Sequence, residues 1–312
     1  MKTVGIIGGS GFIGSHTTKQ FLEQGYKAKV SATDISKPEK YSHLKQFPNA
    51  QHLEIVPLNV ENKEQLQNFV TNCDILIHGG TPFKLDFEDA KTELFDPTII
   101  GTENFLETVS NAPQVKKVVF VASVASYNTN FPMPPGNKKP EDTVNENDVP
   151  FSSEESHPYA QAKFIANQTV SKFIKNNPNL GFEITSVSPT FVTGKQLSAR
   201  EDSTSTGMQF LFKNKIAPNP FVQMLFDTDV EFAVVDVKDV ANAIFKAGTK
   251  TGLHGKNYLL SSESWKVSDI SAMLNDAAPK GKARVIYQNN EAKKDLGINF
   301  NPAVIPLKAY GK

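Results

Sequence analysis

The feature that most constrains the fold is a glycine-rich turn near the start of the chain, between an apolar segment and an amphipathic one. Val4 to Ile7 predicts a buried strand, and Ser15 to Gln24 predicts a helix that ends at Gly25. The turn between them reads Gly8-Gly9-Ser10-Gly11-Phe12-Ile13-Gly14. A strand, a glycine-rich turn and a helix in this order predict a unit that binds a dinucleotide.

Each glycine of the spacing G-x-x-G-x-x-G has a predicted task. We expect Gly8 to allow a tight turn and Gly11 to let the backbone approach a pyrophosphate. Gly14 would let the helix pack closely on the strand. The first N–H groups of the helix and its positive dipole end then suit an anion. The coenzyme contacts predicted here are Gly8, Ser10, Gly11, Phe12, Ile13 and Gly14.

The end of the second predicted strand, Tyr26 to Thr33, bears on the choice of coenzyme. An acidic residue at this point accepts the ribose hydroxyls of NAD, whereas an arginine nearby holds the 2′-phosphate of NADP. Asp34 therefore favours NAD, unless it only forms a turn. Polar residues around it could instead hold a phosphate, namely Ser31, Thr33, Ser36 and Lys37.

Strands and helices alternate through the first 190 residues. The predicted strands that follow lie at 53–57, 74–78, 117–122 and 183–187, and the predicted helices at 41–47, 63–70, 98–110 and 159–176. Strands that are apolar along their length and alternate with helices indicate a parallel sheet covered on both faces. We therefore predict an α/β fold, a doubly wound Rossmann sheet.

The chain divides into two predicted domains. Residues 1–190 with 231–249 would bind the nucleotide, and 191–230 with 250–312 would form a smaller C-terminal domain over the carboxyl ends of the strands, where ligands bind. Within 234–248, Asp239 is predicted to cap a helix. The segment 123–156 is too long for a simple connection, which indicates a functional or a mobile loop.

Two further strand ends are predicted to face the coenzyme. Asn59 and Val60 follow the third strand, where the adenine ring would lie. The fourth strand ends at His78, and the small residues Gly79, Gly80 and Thr81 after it would let a coenzyme pass against the backbone. We interpret His78 as a packing residue and predict no metal site, because no second histidine or carboxylate lies at metal-ligand spacing.

Composition excludes several classes of protein. The formal net charge is +0 and Arg200 and Arg284 are the only arginines, which argues against nucleic-acid recognition. One cysteine, Cys73, excludes an internal disulfide and suits a reducing compartment. No apolar run approaches the roughly 20 residues that span a bilayer, and the N-terminus reads as a strand rather than a signal peptide. We expect a cytoplasmic protein with neither nucleic-acid nor membrane partners.

Three residues form a candidate catalytic set. Ser123 ends the fifth strand, and Tyr159-Ala160-Gln161-Ala162-Lys163 opens the next long helix, so Tyr159 and Lys163 share one helix face. A tyrosine with a pKa of about 10 is a poor acid–base at neutral pH, but a neighbouring ammonium favours its phenolate. The same spacing at Tyr41 and Lys45 predicts only an exposed face, since no strand-end serine precedes it.

Together these segments resemble the extended short-chain dehydrogenase/reductase (NAD-dependent epimerase/dehydratase) family. The resemblance rests on Gly8 to Gly14, Phe120-Val121-Ala122-Ser123, Tyr159 to Lys163, and Val235-Asp236-Val237-Lys238-Asp239-Val240-Ala241. It implies that Tyr159 exchanges the substrate proton and that Ser123 hydrogen-bonds the substrate oxygen. Lys163 would hold the nicotinamide ribose and lower the tyrosine pKa, while hydride passes between nicotinamide and substrate carbon. Tyr159, Lys163 and Pro189 would thus contact the coenzyme.

Within that family, two branches compete. Val187-Ser188-Pro189-Thr190-Phe191-Val192-Thr193-Gly194 and Thr81-Pro82-Phe83 look like the dihydroflavonol, cinnamoyl-CoA and aldehyde reductases. Epimerases usually carry Asn-x-x-Gly-Thr where this chain has Thr98-Ile99-Ile100-Gly101-Thr102. The reductase branch generally prefers NADPH and carries an arginine at the position of Thr33, so the resemblance leaves NADPH and NADH both open.

The sequence thus predicts an NAD(P)-dependent reductase of an aldehyde or ketone with an apolar body. The predicted substrate contacts are Phe83, Ser123, Phe131, Met133 and Phe191. One alternative is an NAD-dependent nucleotide-sugar epimerase or dehydratase, and another is a non-catalytic, coenzyme-sensing binding protein. The resemblance also makes a homodimer through the helices at 98–110 and 157–176 a hypothesis.

Overall fold

The computed structural model describes residues 1–79, 88–199 and 203–312. Within these ranges the strands are β1 (Thr3–Ile7), β2 (Lys27–Ala32), β3 (Leu53–Pro57), β4 (Ile75–His78), β5 (Lys117–Val121), β6 (Glu183–Pro189), β7 (Phe191–Thr193), β8 (Glu231–Asp236), β9 (Asn257–Leu260) and β10 (Glu263–Lys266). The α-helices are α1 (Phe12–Glu23), α2 (Lys63–Val70), α3 (Asp96–Ser110), α4 (Pro158–Asn176), α5 (Thr204–Asn214), α6 (Pro220–Thr228), α7 (Val237–Thr249), α8 (Val267–Leu274) and α9 (Val304–Ala309). The predicted helix at 41–47 is instead two short 3₁₀ turns, Pro38–Lys40 and Ser42–Gln46.

The main sheet of the described chain is parallel and has the order β3-β2-β1-β4-β5-β6-β9. The order reverses between β1 and β4, and the carboxyl ends of strands at such a reversal form the ligand-binding crevice of open α/β sheets. The predicted doubly wound Rossmann fold is confirmed.

Helices cover both faces of this sheet because alternate residues of each strand point to opposite sides. On one face, Ile75 and Ile77 of β4 pack with Phe21 of α1 and Ile244 of α7. On the other face, residues of α2, α3 and α4 pack with Leu76. The two apolar clusters fix the sheet between two helical layers, so that its carboxyl edge presents loops.

A second, three-stranded sheet has the order β10-β8-β7, with β8 parallel to β7 and antiparallel to β10. Its apolar side chains form a separate cluster with α5, α8 and α9. Aromatic rings dominate this cluster: Phe232 lies 5.3 Å from Phe191 and 5.6 Å from Phe212.

Two strands lie across the boundaries of the predicted domain division. β8, predicted within the nucleotide-binding domain, belongs to the small sheet because Phe232 packs against the aromatic cluster. β9, predicted within the smaller domain, extends the main sheet beside β6. Both strands find partners far away in the chain, which local patterns do not reveal.

The residue that caps the N-terminus of α7 is not the one predicted. Asp236, not Asp239, is the cap, and its Oδ1 accepts a hydrogen bond from Lys238 N at 2.9 Å. The Asp239 carboxylate accepts instead from Asn301 N at 2.7 Å. Asp236 precedes the helix and so has the extended backbone that a cap requires, whereas Asp239 is already helical.

Polar contacts hold the segment 123–156 together, and one of them joins it to Tyr287 in the C-terminal part of the chain. The Asn128 side chain donates to Met133 O at 2.7 Å and to the Tyr287 hydroxyl at 2.8 Å. The Ser156 hydroxyl donates to Thr129 Oγ1 at 2.8 Å.

Among the residues that the structure describes, no helix is long and apolar enough to cross a membrane.

Candidate active site

The glycine-rich turn has the geometry that its spacing predicts. Gly8 has a φ of +79°, in the left-handed region that favours glycine. A Cβ added to Gly14 would lie 2.0 Å from the carbonyl oxygen of Gly8, so only glycine lets α1 approach β1 this closely. Gly11 N donates to Gly8 O at 3.1 Å and Gly11 precedes the first residue of α1.

The side chains of this turn face inward. Ser10 is 4% exposed, Phe12 is 8% exposed within the apolar cluster under α1, and Ile13 packs against the same cluster. Any coenzyme contact by these three residues therefore falls mainly to their backbone. The spacing assigned no task to Gly9. A Cβ added at this position would lie 2.9 Å from both Thr18 Oγ1 and the methyl groups of Val30.

The loop after β2 carries the residues that bear on coenzyme choice. Asp34 Oδ1 accepts hydrogen bonds from Ser36 N at 3.0 Å and from the Ser36 hydroxyl at 2.6 Å. These bonds lower the pKa of the Asp34 carboxyl, which is solvent-accessible. Ser31 does not face outward as a phosphate ligand would, because its hydroxyl accepts from Gly8 N at 3.0 Å. Thr33 is exposed.

The strand ends beyond β2 complete the predicted coenzyme crevice. Asn59 is exposed, and its side chain accepts from Glu61 N at 3.0 Å. Val60 is half-buried beside Gly101 of α3. Gly79 N donates to Ile7 O at 3.0 Å, so the ends of β1 and β4 adjoin at the reversal of the strand order. Three predicted contacts, Gly80, Thr81 and Phe83, lie outside the described residues.

Ser123 and Tyr159 are placed by a turn and a helix that pack together. Ser123 is extended, and its hydroxyl accepts from Ala125 N at 3.2 Å, which begins the short 3₁₀ turn Val124–Ser126. Helix α4 packs against that turn. The helix begins at Pro158, a residue suited to the first helical position, and His157 Nδ1 accepts from Tyr159 N at 3.2 Å. Tyr159 and Lys163 thereby occupy the first turns of α4.

Burial sets the proton affinities of this pair. Lys163 is 9% exposed and its Nζ lies 5.7 Å from the centroid of the half-buried Tyr159 ring. Burial raises the pKa of Tyr159 to about 12 and lowers the pKa of Lys163 to about 8. The tyrosine shift is opposite to the expected one, because burial removes the hydration that stabilises the phenolate. The phenol is therefore protonated at neutral pH and can donate a proton.

His78, at the end of β4, packs as predicted. It is 6% exposed, and its ring centroid lies 4.7 Å from that of Phe105 and 5.0 Å from that of Phe120. Burial, with a smaller contribution from the Lys163 charge, lowers the pKa of His78 to about 4. The imidazole is thus neutral in the physiological range.

The predicted substrate contacts differ in how much surface they present. Phe131 and Met133 are half-buried, and Phe131 lies 4.9 Å from Phe232 between ring centroids. Phe191 is 8% exposed and its side chain belongs to the apolar cluster of the second sheet. Pro189 is buried at the end of β6, opposite Leu260 of β9.

A comparison with protein-family models matches residues 4–261 to the NAD dependent epimerase/dehydratase family. The chain belongs to this family. The match spans the glycine-rich turn, Ser123, Tyr159 and Lys163, the segments on which the predicted resemblance rested. The prediction of an NAD(P)-dependent enzyme of the extended short-chain dehydrogenase/reductase type is confirmed at the level of the family.

Curated relatives of the chain include plant reductases. The chain is 26% identical to cinnamoyl-CoA reductase CAD2 of Medicago truncatula, over 98% of this chain and 94% of the relative. It is 24% identical to an anthocyanidin reductase of Vitis vinifera, over 97% and 89% of the two chains.

Solved structures share the fold. Yeast methylglyoxal/isovaleraldehyde reductase Gre2, complexed with NADPH, has a TM-score of 0.81 and 23% identity, over 98% of this chain and 96% of that one. Gre2 of Candida albicans, also with NADPH, has a TM-score of 0.82 and 22% identity, over 99% and 97%. These likenesses support the Rossmann architecture of the present family member.

Proposed function

We propose that this chain reduces the carbonyl group of an aldehyde or ketone with an apolar body, with Tyr159 as the proton donor. The observation that carries the proposal is the pairing of Tyr159 with Lys163 on the first turns of α4, against the turn that begins at Ser123. In a family whose members use a nicotinamide coenzyme, this pairing supplies the proton that reduction of a carbonyl requires.

The residues at the carboxyl edge of the sheet fit a dinucleotide. The N–H groups at the start of α1 lie beside a turn in which Gly14 leaves no room for a side chain, so backbone rather than side chains would hold the pyrophosphate. When bound, the reduced nicotinamide supplies a hydride to the carbonyl carbon.

The protein's own groups then complete the reaction. Tyr159, protonated because burial raises its pKa to about 12, donates its phenolic proton to the carbonyl oxygen. Ser123 donates a hydrogen bond to the same oxygen and stabilises the developing charge. The Lys163 ammonium compensates the phenolate that Tyr159 becomes. The product is an alcohol, and Tyr159 regains its proton from solvent.

An apolar substrate body is supported by the side chains that follow the catalytic serine. Phe131 and Met133 lie in the segment after Ser123 and are half-buried, so each presents part of its apolar surface. With Arg284 bound to Glu231 and to the carbonyl oxygens of Pro140 and Glu141, the described residues present no arginine clamp for a diphosphate.

We further infer that NADH is the preferred coenzyme. The Asp34 carboxylate, kept ionised by its bonds to Ser36, lies where the adenosine ribose binds in this fold. It would accept hydrogen bonds from ribose hydroxyls and repel a 2′-phosphate. Lys37 Nζ, 3.5 Å from Asp34 Oδ2, offsets part of that charge.

The proposal includes a cytoplasmic homodimer. The thiol of the lone cysteine, Cys73, is fully buried and its pKa is raised to about 11 by burial, which suits a protein without disulfides. Helices α3 and α4 pack side by side, and Ile100 of α3 is 50% exposed. That apolar side chain supports a contact between copies across these helices.

The test is a panel of aldehydes and ketones assayed with NADH and with NADPH, for the wild-type protein and for Tyr159→Phe. We expect turnover of apolar carbonyls by the wild type and a loss of at least about 10²-fold in the variant, the usual effect of general acid catalysis. Coenzyme binding measured by calorimetry should be nearly unchanged. A fully active Tyr159→Phe protein would refute the assignment.

A further inference from the structure

The side chain of His16 joins helix α1 to the segment that follows β7. His16 lies on the second turn of α1 and is 7% exposed. Its Nε2 lies 2.9 Å from the carbonyl oxygen of Lys195, 179 residues further along the chain. A carbonyl oxygen only accepts hydrogen bonds, so Nε2 carries a hydrogen and donates it. One imidazole thus fixes the helix after the glycine-rich turn to a backbone atom beyond β7.

The surroundings of this imidazole hold it in one place and one charge state. The Phe12 ring, one helical turn earlier, meets the His16 ring edge to face, with 6.1 Å between the ring centroids. Burial is the main cause that lowers the pKa of His16 below 6.5, so the imidazole is neutral at neutral pH. A neutral imidazole has one N–H, and the bond to Lys195 O places it on Nε2.

The residue before Lys195 is held by helix α5. Gly194 N donates to the side-chain oxygen of Gln209 at 3.0 Å, and Gln209 is 0% exposed. Gly194 has a φ of +133°, and a Cβ added to it would lie 3.0 Å from Val237 Cγ1. This position therefore requires glycine, and the segment after β7 is confined between α5 and α7.

The two hydrogen bonds form a bridge between helices of the two sheets. Helix α1 packs in the apolar cluster of the main sheet through Phe21, whereas α5 packs in the aromatic cluster of the second sheet through Phe212. Two adjacent residues, Gly194 and Lys195, connect these helices, one through its amide and the other through its carbonyl group. A displacement of α1 would therefore strain the bond to α5.

We propose that His16 is a positioning residue for the nicotinamide coenzyme and that it transmits coenzyme binding from α1 to α5. The N–H groups at the start of α1 would hold the pyrophosphate. Ser15 N donates to Gly11 O at 2.8 Å in this first turn, and His16 follows directly. Its bond to Lys195 O thus fixes those N–H groups relative to the second sheet. The inference goes beyond the proposed function, since it requires coenzyme binding and no particular carbonyl substrate.

Coenzyme binding should therefore be detectable in α5, which lies outside the predicted coenzyme contacts. Helix α1 would lose freedom of motion when its N–H groups hold a pyrophosphate, and the bridge extends this restriction to α5. The backbone amides of residues 204–214 would then exchange with solvent more slowly when coenzyme is bound. Without the His16 bond, α1 would still contact the pyrophosphate, but α5 would no longer respond.

Three substitutions test the bridge. His16→Phe keeps an aromatic ring and removes the donor, whereas His16→Gln keeps an N–H group that can take the place of Nε2. Gln209→Met keeps a long side chain and removes the acceptor at the other end of the bridge. The control is His254→Phe, because His254 Nδ1 accepts from Ile184 N at 3.2 Å near the amino end of β6, away from the carboxyl edge of the sheet.

The probe is NADH, or NADPH if that binds more tightly. Calorimetry measures affinity, and mass spectrometry measures hydrogen exchange with and without saturating coenzyme. We expect the affinity to fall about three- to tenfold in His16→Phe, the effect of one hydrogen bond, and to recover in His16→Gln. The slower exchange of residues 204–214 on coenzyme binding should be lost in His16→Phe and Gln209→Met, and preserved in His16→Gln and His254→Phe.

If coenzyme still slows the exchange of residues 204–214 in His16→Phe, the proposal is overturned. An equal loss in His254→Phe also overturns it, because general destabilisation would then explain the effect. If His16→Phe does not fold, Gln209→Met decides by the same measurement. The experiment needs no turnover, so a protein that reduces no carbonyl but shows these effects refutes the proposed function and leaves the bridge standing.

Discussion

Lys163 Nζ lies 5.7 Å from the centroid of the Tyr159 ring at the start of α4, and burial moves the proton affinities of the two side chains in opposite directions. The phenol holds its proton more tightly and the ammonium less tightly than in water. The pair therefore enters the reaction as phenol and ammonium at neutral pH, the state in which the tyrosine can give up a proton and the lysine can stabilise the phenolate that remains.

The first prediction concerns the pH dependence of reduction. We expect kcat/KM to fall as the pH rises through about 8, because Lys163 loses its charge there while Tyr159, with a pKa of about 12, stays protonated. Lys163→Arg keeps a permanent charge, so the decrease in kcat/KM should move to higher pH. Initial rates from about pH 6 to about pH 10 measure both. If the decrease in kcat/KM stays near pH 8 in an active Lys163→Arg protein, a group other than Lys163 causes it.

The second prediction concerns the close contact of α1 with β1. Gly14→Ala places a Cβ 2.0 Å from Gly8 O, where backbone must shift. We expect a loss of about 1–3 kcal/mol in the free energy of unfolding and weaker coenzyme binding, because the N–H groups at the start of α1 move. Denaturant unfolding and calorimetry measure the two effects.

Its matched control is Gly207→Ala in α5, where no described atom lies within 4 Å of an added Cβ. Alanine in a helix interior should stabilise the protein by about 0.5–1 kcal/mol relative to glycine and leave coenzyme binding unchanged. Equal effects of the two substitutions would mean that the contact between Gly14 and Gly8 is unimportant.

The third prediction tests the role of Asp34. We expect the wild-type protein to bind NADH at least tenfold more tightly than NADPH, a difference of about 1.4 kcal/mol. Asp34→Asn should reduce this ratio, because it removes the charge that opposes a 2′-phosphate. The control is Glu23→Gln, which removes a negative charge at the C-terminal end of α1 and should leave the ratio unchanged. Tighter binding of NADPH by the wild type would instead show that the loop after β2 holds the phosphate.

Local sequence carried enough information for the turn and for the catalytic pair. Gly8 and Gly14 could be predicted because their tasks depend on spacing within one strand–turn–helix unit. Tyr159 and Lys163 could be paired because residues four apart share a helix face. The bounds of β3 and α2 also agree with the predicted segments 53–57 and 63–70, because local sequence patterns indicate both elements.

What the sequence could not supply depends on contacts between distant residues. The pairing of β8 with β7 and of β9 with β6 could not be predicted, because these neighbours lie far away in the chain. The rise in the Tyr159 pKa comes from burial, which no pattern displays. His78 of β4 and Lys163 of α4 also line one small cavity with residues of β5 and α3, a proximity that arises only when these elements pack together.

The last prediction concerns the junction between α7 and the C-terminal segment. The Asp239 carboxylate accepts from Asn301 N at 2.7 Å, and Asn301 Nδ2 donates to Asp236 Oδ2 at 3.0 Å. Burial raises the pKa of Asp239 from 3.8 to about 6, and the charge of Asp236 adds to this rise. The folded protein thus binds this proton more tightly than the unfolded chain does.

The direction of the effect follows from that difference. At pH values below 3.8 both states carry the proton, and between about 4 and 6 the unfolded chain releases it first. The contribution of Asp239 to the free energy of unfolding should therefore be greatest at low pH, decrease as the pH rises from about 4 to about 6, and stay at the lower value above that range. Denaturant unfolding across this range, compared with Asp239→Asn, measures it. The variant lacks the ionisable group and should lose this part of the pH dependence; an identical dependence in both proteins would assign it to other carboxyl groups.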